Sequence, residues 1–517
     1  MLKCTLPDPV GSYDLIIIGG GINGAALAHA AAARGYRTAL LEKNDFGCGV
    51  TSRSTRLIHG GLRYLEHGHV GLVRESLRER EALLRDFPHQ VRPLAFLIPV
   101  YREDSRAWWW IRIGLQAYDW ISRSSLVGRH RQLSAAETLH LEPGLAPAGL
   151  RAGFVYYDGQ APYPERLALQ MALDAEALGA TVRNHTEVTG FLGDARRVIG
   201  VRTRGGEELG ARVVVNAAGP WADRVRSLLT GASARPLLTL VNGAHLVTGL
   251  FPGAPSHAIY HEASADRRPF FIVPWRDLWL IGTTETPFDG DPGRTLPTAQ
   301  EVDYLIRETN LLFPRAALSR ASVLYAYAGP RPLLNSGAAA QAMSRDHAIW
   351  DHESEDGVSG ALTLVGGKLT TARAFAQEAL DRVAARLGPP GSPAPPPIRA
   401  EADSMPERLA AIYGRGASAI VELARRQPDL ERPIAPGAPA TAAELVHAVQ
   451  QEKACTLADI LLRRTGLAFG PGRGLDAAPE AARIAAPLLG WDQATTAQAL
   501  TDYRAELDDT LCPGSAS

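Results

Sequence analysis

An α/β fold, with a parallel sheet gathered from widely separated stretches of chain, is predicted by three segments that each run from an apolar strand into a small-residue or glycine turn. The first, residues 13–42, reads YDLIIIGGGINGAALAHAAAARGYRTALLE. The second, residues 212–223, reads RVVVNAAGPWAD, and the third, residues 361–373, reads ALTLVGGKLTTAR. In the first, an apolar run over 15–18 meets Gly19, Gly21 and Gly24, spaced G-x-G-x-x-G. An alanine-rich helix follows, then a second apolar run over 38–41 that ends on Glu42. The order matches what a dinucleotide requires. The first glycine permits the tight strand-to-helix turn, the second lets the backbone approach a pyrophosphate, and the third lets helix and sheet pack closely. The acid stands 23 positions after Gly19, where it can accept ribose hydroxyls and disfavours a 2′-phosphate, so the ligand is FAD or NAD.

The second segment predicts a strand entering a turn at Ala217, Ala218 and Gly219. The third predicts a strand, a turn at Gly366 and Gly367, and a threonine-capped helix continuing through about Arg382. A phosphate-loop reading of GGKLTT fails, because it lacks the G-x-x-x-x-G-K-[ST] pattern. Three such units far apart in sequence suit an FAD domain interrupted by insertions better than a contiguous NAD domain.

Between the units the pattern changes. Residues 269–284, PFFIVPWRDLWLIGTT, predict two short strands around a turn at Arg276 and Asp277. Residues 245–248 and 259–261 predict further strands, assigned to an inserted mixed sheet that forms the substrate domain. Residues 388–397, GPPGSPAPPP, predict a stiff linker. Beyond it the chain is rich in alanine, leucine and arginine at helical spacing, which predicts a helical C-terminal domain. The expected division is an oxidoreductase region over 12–387, a linker over 388–399 and the helical domain over 400–517.

Composition narrows the class. With 46% apolar and 21% charged residues the chain can bury a large core, and a formal charge of −1 gives no reason to expect nucleic acid. No signal peptide and no run of 18 apolar residues appears, and the four cysteines form neither a metal pattern nor a disulfide framework. A cytoplasmic protein without a metal site is expected. Only Lys3, Lys43, Lys368 and Lys453 among 54 basic residues are lysines, which draws attention to each.

Residues 49–66, GVTSRSTRLIHGGLRYLE, crowd the hydroxyls of Thr51, Ser52, Ser54 and Thr55 next to His59, Gly60, Gly61, Arg63 and Tyr64. Hydroxyls and glycines suit close approach of a cofactor, and a histidine beside them can act as a base near neutral pH. Arg331 lies between Pro330 and Pro332, where a fixed backbone can present a guanidinium to a phosphate or carboxylate. Lys368, in the Gly-Gly turn, can place a small ammonium where a guanidinium would not fit. Residues 105–123, SRAWWWIRIGLQAYDWISR, combine tryptophans with arginines. That pattern fits a helix lying in a lipid headgroup interface, and equally one buried against the core or another subunit.

LIIIGGGINGA, STRLIHGGLRYLEHG, NAAGPW, IGTTET, YAGPRPL, SRDH (residues 344–347) and GGKLTT occur in this order. In these motifs the chain resembles the FAD-dependent glycerol-3-phosphate dehydrogenases of the aerobic, respiratory type, from about residue 12 to 385 and more weakly beyond. The resemblance implies an FAD-binding Rossmann-type domain of the D-amino-acid-oxidase/glutathione-reductase-like kind. It also implies oxidation of sn-glycerol 3-phosphate at carbon 2 to dihydroxyacetone phosphate, hydride passing to flavin N5. By that resemblance His59 is the candidate base, His245 the reserve base, and Arg331 the group that stabilises oxyanion charge. Arg63, Tyr64, Thr283 and Lys368 are expected to position the substrate. Gly19, Gly21, Asn23, Gly24, Glu42, Thr51, Ser52, Ser54, Gly219, Gly367 and Thr370 are expected to hold the cofactor. The implied partners are a membrane quinone and the cytoplasmic face of the inner membrane, contacted peripherally by a homodimer.

Three departures stand against the pattern. Tyr163, Pro164 and Glu165 replace an aspartate pair before Arg166, Glu285 replaces an aspartate after Gly-Thr-Thr, and Arg56 replaces a common lysine. The closest alternative is a glycerol-3-phosphate oxidase that reduces oxygen. It is disfavoured because such oxidases typically carry an insertion for which residues 345–368 have no room. A relative oxidising another anionic alcohol or an amine is the next alternative. Cys48 could in principle tether a flavin, but the resemblance implies a non-covalent cofactor.

Overall fold

The computed structural model describes residues 13–66, 68–122, 126–231, 235–335, 347–390 and 405–513. The expected linker from residue 391 onward and residues 344–346 of SRDH lie outside them. The described residues fall into two compact units. One comprises the N-terminal stretch to Ser52, Pro164–Val241 and the stretch that begins at Arg331; the other comprises Arg53–Tyr163, Asn242–Pro330 and the C-terminal stretch.

In the first unit the three strand-to-turn segments meet in one sheet, as the sequence predicts. Its strand order is Ala348–Asp351, Ala361–Val365, Glu208–Asn216, Tyr13–Ile18, Thr38–Leu41, Thr181–Arg183. All neighbours are parallel except the Ala348–Asp351 edge. Ile18 lies in register with both Asn216 and Leu41, so the first glycine turn and the turn after Asn216 leave the sheet side by side. Buried Leu15, Ile16, Ile17 and Leu40 show why these strands read as continuous apolar runs: the sheet is covered on both faces. The Ile22–Arg34 helix ends on Gly35 in the left-handed region, φ +93°, whose amide satisfies the carbonyls of Ala31 and Ala32.

The helix of the third segment, Ala372–Leu387, begins without the expected threonine cap. Thr371 holds the N-cap position at φ −101°, ψ 10°, away from the extended geometry a capping hydroxyl needs, and its side chain makes no cap bond.

The second unit holds the mixed sheet. Pro269–Trp275 and Leu278–Gly282 form the expected hairpin, and the strands expected at 245–248 and 259–261 are the longer Leu238–Thr248 and Ala258–Glu262. Arg92–Tyr101 runs parallel to Ala258–Glu262 and antiparallel to Leu150–Gln160. The C-terminal stretch is helical as expected, and its core is continuous with the sheet of this unit. The ring centroids of Trp275 and Phe469 lie 5.3 Å apart, and Tyr325 donates to the carbonyl of Phe469 at 2.9 Å.

Two of the departures serve this packing. Arg56 is fully buried, its guanidinium 4.2 Å from the Trp275 ring centroid and 4.6 Å from that of Phe469, while it donates to the Pro162 carbonyl at 2.8 Å. A planar cation fits between two rings in a way that an ammonium does not. Tyr163 packs on Gly466, where an added Cβ would stand 2.7 Å from its ring.

Candidate active site

The cofactor cradle is built in the first unit, and at Gly19 and Gly24 its backbone tolerates no side chain. Gly19 has φ +109°, and a Cβ there would lie 2.6 Å from the Ala217 carbonyl oxygen; one on Gly24 would lie 1.9 Å from that of Gly19. Gly21 caps the Ile22–Arg34 helix, and Thr51 accepts the amide of Ile22 at 3.1 Å, satisfying a donor at the helix start. Glu42 is nearly buried. Its carboxylate accepts the Gly20 amide at 2.6 Å and the Asn44 amide at 2.9 Å, leaving further lone pairs on each oxygen. Burial raises its pKa, and the two amide bonds oppose the rise.

Asn23 ties the first turn to the third. Its Nδ2 donates to the Gly366 carbonyl at 3.0 Å, while its buried Oδ1 has no hydrogen-bond partner among the described residues. Gly367, at φ +89°, passes so close that an added Cβ would stand 2.8 Å from Asn23 Nδ2. Gly219, at φ +55°, has open space where a Cβ would point, and Thr370 is buried. Ser52 turns its hydroxyl onto the Gly49 and Cys48 carbonyls at 3.0 and 3.2 Å. An orphaned buried acceptor, glycines that admit no Cβ and a helix start facing the turn together fit a dinucleotide. Arg331 and Lys368, both half-buried, also belong to this unit.

The second unit assembles a different set. His59 follows the two-residue strand Leu57–Ile58, pinned by the pairs Leu57 with Gln160 and Ile58 with Gly159. Gly60, next in the chain, gives its amide to the Tyr118 hydroxyl at 2.9 Å and to Asp158 Oδ1 at 3.3 Å. Tyr118 in turn donates to Asp158 at 2.6 Å, and Arg80 donates to the same oxygen at 2.7 Å. Burial opposes the charge of Arg80, yet Asp158 holds its pKa above the ordinary arginine range. The Leu62–Glu66 helix carrying Arg63 and Tyr64 then begins from Gly61, whose φ of +73° turns the chain.

His245 sits elsewhere in this unit. Its Nε2 lies 2.9 Å from the Thr55 hydroxyl, and its ring stacks on Tyr327 at 5.0 Å and 20°. Tyr327 donates to the Ser54 carbonyl at 2.9 Å, and Ser54 accepts the Arg56 amide at 3.2 Å. His245 pairs across the sheet with Gly282, so Thr283 follows directly beside it. Glu285, the third departure, lies 4.0 Å from the Arg268 guanidinium. Sequence reasoning missed Thr55, Tyr327 and the group formed by Arg80, Tyr118 and Asp158 as supports of these histidines. Each pairing joins distant segments, and no local pattern marks it.

Comparison with known proteins decides the family. The sequence model described as FAD dependent oxidoreductase matches residues 14–382, and that described as the C-terminal domain of alpha-glycerophosphate oxidase matches 358–496. A glycerol-3-phosphate dehydrogenase of Synechocystis is 38% identical, over 97% of this chain and 97% of its own. The chain belongs to the FAD-dependent glycerol-3-phosphate dehydrogenase family. The aerobic glycerol-3-phosphate dehydrogenase of Staphylococcus haemolyticus is 33% identical over 88% of this chain and 86% of its own. The glycerol-3-phosphate dehydrogenase of Bacillus halodurans, solved with FAD, superposes with TM-score 0.76 at 26% identity, covering 97% and 95% of the two chains. FAD is the cofactor of this dehydrogenase, and the α/β fold with an inserted mixed sheet and a helical C-terminal region stands as predicted.

Proposed function

We propose that this dehydrogenase oxidises sn-glycerol 3-phosphate at carbon 2 to dihydroxyacetone phosphate and delivers the two electrons to a membrane quinone. The observation that carries this reading is the support given to two histidines in one unit: His245 between Thr55 and Tyr327, and His59 on a strand end fixed through the Gly60 amide. FAD supplies the two-electron acceptor for the C2–H bond.

The protein's own groups do the rest. His59 takes the proton of the C2 hydroxyl, with His245 in reserve. Arg331 stabilises negative charge as it develops on that oxygen. Lys368, Arg63, Tyr64 and Thr283 bind the substrate, chiefly through its phosphate. Glu42 accepts ribose hydroxyls of the cofactor. Gly19, Gly21, Asn23, Gly24, Thr51, Ser52, Ser54, Gly219, Gly367 and Thr370 shape the rest of its bed.

Membrane delivery of electrons is supported by the Trp108–Ser122 helix. It buries Leu115 and Tyr118 but exposes Trp108, Trp109, Trp110, Ile113 and Trp120, the last at 67%. Indole rings with Arg106 and Arg112 nearby suit a headgroup interface. No helix among the described residues is long and apolar enough to cross a membrane, which fits peripheral seating on the cytoplasmic face.

The test compares phosphorylated and free alcohols. Glycerol should be a poorer substrate than sn-glycerol 3-phosphate by orders of magnitude in kcat/KM, because it offers nothing to Lys368. Equal use of both would remove the phosphate-binding role. Stoichiometric peroxide formation with oxygen as the sole acceptor would favour the oxidase alternative.

A further inference from the structure

The Ala348–Asp351 strand at the edge of the first sheet runs into a four-residue helix, His352–Glu355, whose first side chain is buried. His352 Nδ1 lies 2.7 Å from Asp356 Oδ2, and its Nε2 lies 2.8 Å from the Thr363 hydroxyl. Asp356 also accepts the Trp350 indole N–H at 3.1 Å and the Arg226 guanidinium at 2.9 Å. Burial raises its carboxyl, but the bonds from Trp350, Arg226 and His352 outweigh burial and hold it below the ordinary carboxylate range.

The tautomer of His352 follows. An ionised Asp356 can only accept, so Nδ1 carries the ring proton. Burial lowers the imidazole against the pull of Asp356, which keeps the ring neutral near neutral pH. Nε2 is then an acceptor, and Thr363 donates to it. The Thr363 oxygen in turn accepts Asn216 Nδ2 at 3.3 Å from its partner in the sheet register.

Asn216 gives the rest of its amide to the turn that follows it. Nδ2 also donates to the Ala222 carbonyl at 2.8 Å, and Oδ1 accepts the Ala218 amide at 3.2 Å. Both ends of the stretch 218–222 are therefore tied to one side chain, with Gly219, at φ +55°, between them. The same turn abuts the first glycine turn. The Ala217 amide donates to the Ile18 carbonyl at 2.8 Å, and the Ala217 carbonyl oxygen is the atom that a Cβ on Gly19 would meet.

We propose that His352 is a positioning residue for FAD, acting through Thr363 and Asn216 on the turn that carries Gly219. The proposal rests on the reading of Gly219 as a cofactor-holding residue and deepens it by naming what fixes the turn. His352 itself touches no cofactor; it sets the direction of the bonds that reach Asn216.

Two conservative variants test it, because they keep different ends of the ring. Glutamine reaches as far as Nε2 and can still accept from Thr363; asparagine reaches only as far as Nδ1 and keeps Asp356 alone. The FAD dissociation constant of each full-length holoenzyme would be read from the rise in flavin fluorescence on dilution, and its stability from urea unfolding with FAD in excess. His352→Asn should weaken FAD about tenfold, the scale of one lost hydrogen bond, and His352→Gln should stay near wild type. Both should lose comparable stability, since each gives up one of the two ring bonds. Thr363→Val should weaken FAD as His352→Asn does, and the double variant should be no worse than either, because both cut the same chain.

Equal FAD affinity in His352→Asn and wild type would overturn the proposal. Equal weakening in His352→Asn and His352→Gln would do the same, because the effect would then follow stability and not the link to Thr363. Additive losses in the double variant would show two independent contributions and also count against it. Should neither His352 variant fold, Thr363→Val carries the test, and wild-type affinity there is the contrary result. Gly219→Ala separates the underlying reading: wild-type FAD affinity in that variant would remove the turn from the cofactor site altogether. Weakened FAD in Gly219→Ala beside unchanged FAD in His352→Asn would sink only the role of His352.

Discussion

Tyr118 and Asp158 share a buried 2.6 Å hydrogen bond that joins the underside of the tryptophan-rich helix to the Leu150–Gln160 strand, beside the loop of the candidate base. The same hydroxyl accepts the Gly60 amide, and the same carboxylate oxygen accepts Arg80. Both partners of the ion pair are at most 2% exposed, so the backbone beside His59 is held by charges that water does not screen.

Tyr118→Phe should therefore cost about 1.5–3 kcal/mol of stability, the worth of a hydrogen bond to a charged group, and should lower kcat while FAD remains bound. Asp158→Ala strands Arg80 in the core and should cost about 3–5 kcal/mol. Denaturant unfolding and flavin-to-protein ratios separate the two effects. A Tyr118→Phe enzyme with unchanged kcat would deny the residue its positioning role.

Glu42 holds the first turn through two amides as well as standing where ribose hydroxyls are expected. Glu42→Ala leaves the buried Gly20 amide unsatisfied, at about 1–3 kcal/mol, removes the acceptor of the exposed Asn44 amide, and should yield protein that purifies largely without flavin. Glu42→Gln keeps two acceptor lone pairs and should retain more. Flavin absorbance per protein is the readout.

Arg331→Ala should cut turnover by about 100-fold or more with FAD content unchanged, the scale seen when a group stabilising transition-state charge is removed. Lys368→Met should act mainly through KM for the phosphorylated substrate. A matched fall in kcat alone for Lys368→Met would move that lysine from binding to catalysis.

His261 gives a pH signature. Burial lowers its imidazole to about 4 from 6.5, against the opposing pull of Glu262 and a bond to the Pro99 backbone. Between those values the unfolded chain binds a proton that the folded one does not, so stability falls as pH drops from about 6.5 to 4, by up to about 3 kcal/mol. His261→Phe, with its ring kept between Tyr101 and Phe270, should flatten that limb in denaturant titrations. An unchanged slope would assign the acid sensitivity to other groups.

The central strands of the first sheet were legible in the sequence as apolar runs with their turns, whereas Ala348–Asp351 and Thr181–Arg183 at its edges were not. Leu15 to Ile18, Thr38 to Leu41 and Ala361 to Val365 carry the apolar run and the turn together, and register follows from burial on both faces. The candidate histidines were legible only as members of motifs. What holds them was not, because the bonds from Thr55 to His245 and from Tyr118 to Asp158 span 190 and 40 residues and leave no periodic trace. The departures at Arg56 and Tyr163 stand out against the family pattern when read locally. The structure gives both a packing role against Trp275, Phe469 and Gly466, contacts that no neighbouring sequence reveals. The tryptophan helix left two readings open; its exposed indoles now favour an outward-facing surface.

The central claim is best tested by adding sn-glycerol 3-phosphate to the purified, FAD-loaded protein without oxygen and following the oxidised-flavin absorbance. Rapid and complete bleaching, with one dihydroxyacetone phosphate formed per flavin, is the expected result. A flavin that stays oxidised under saturating substrate would contradict the assigned reaction while leaving the fold and the cofactor in place.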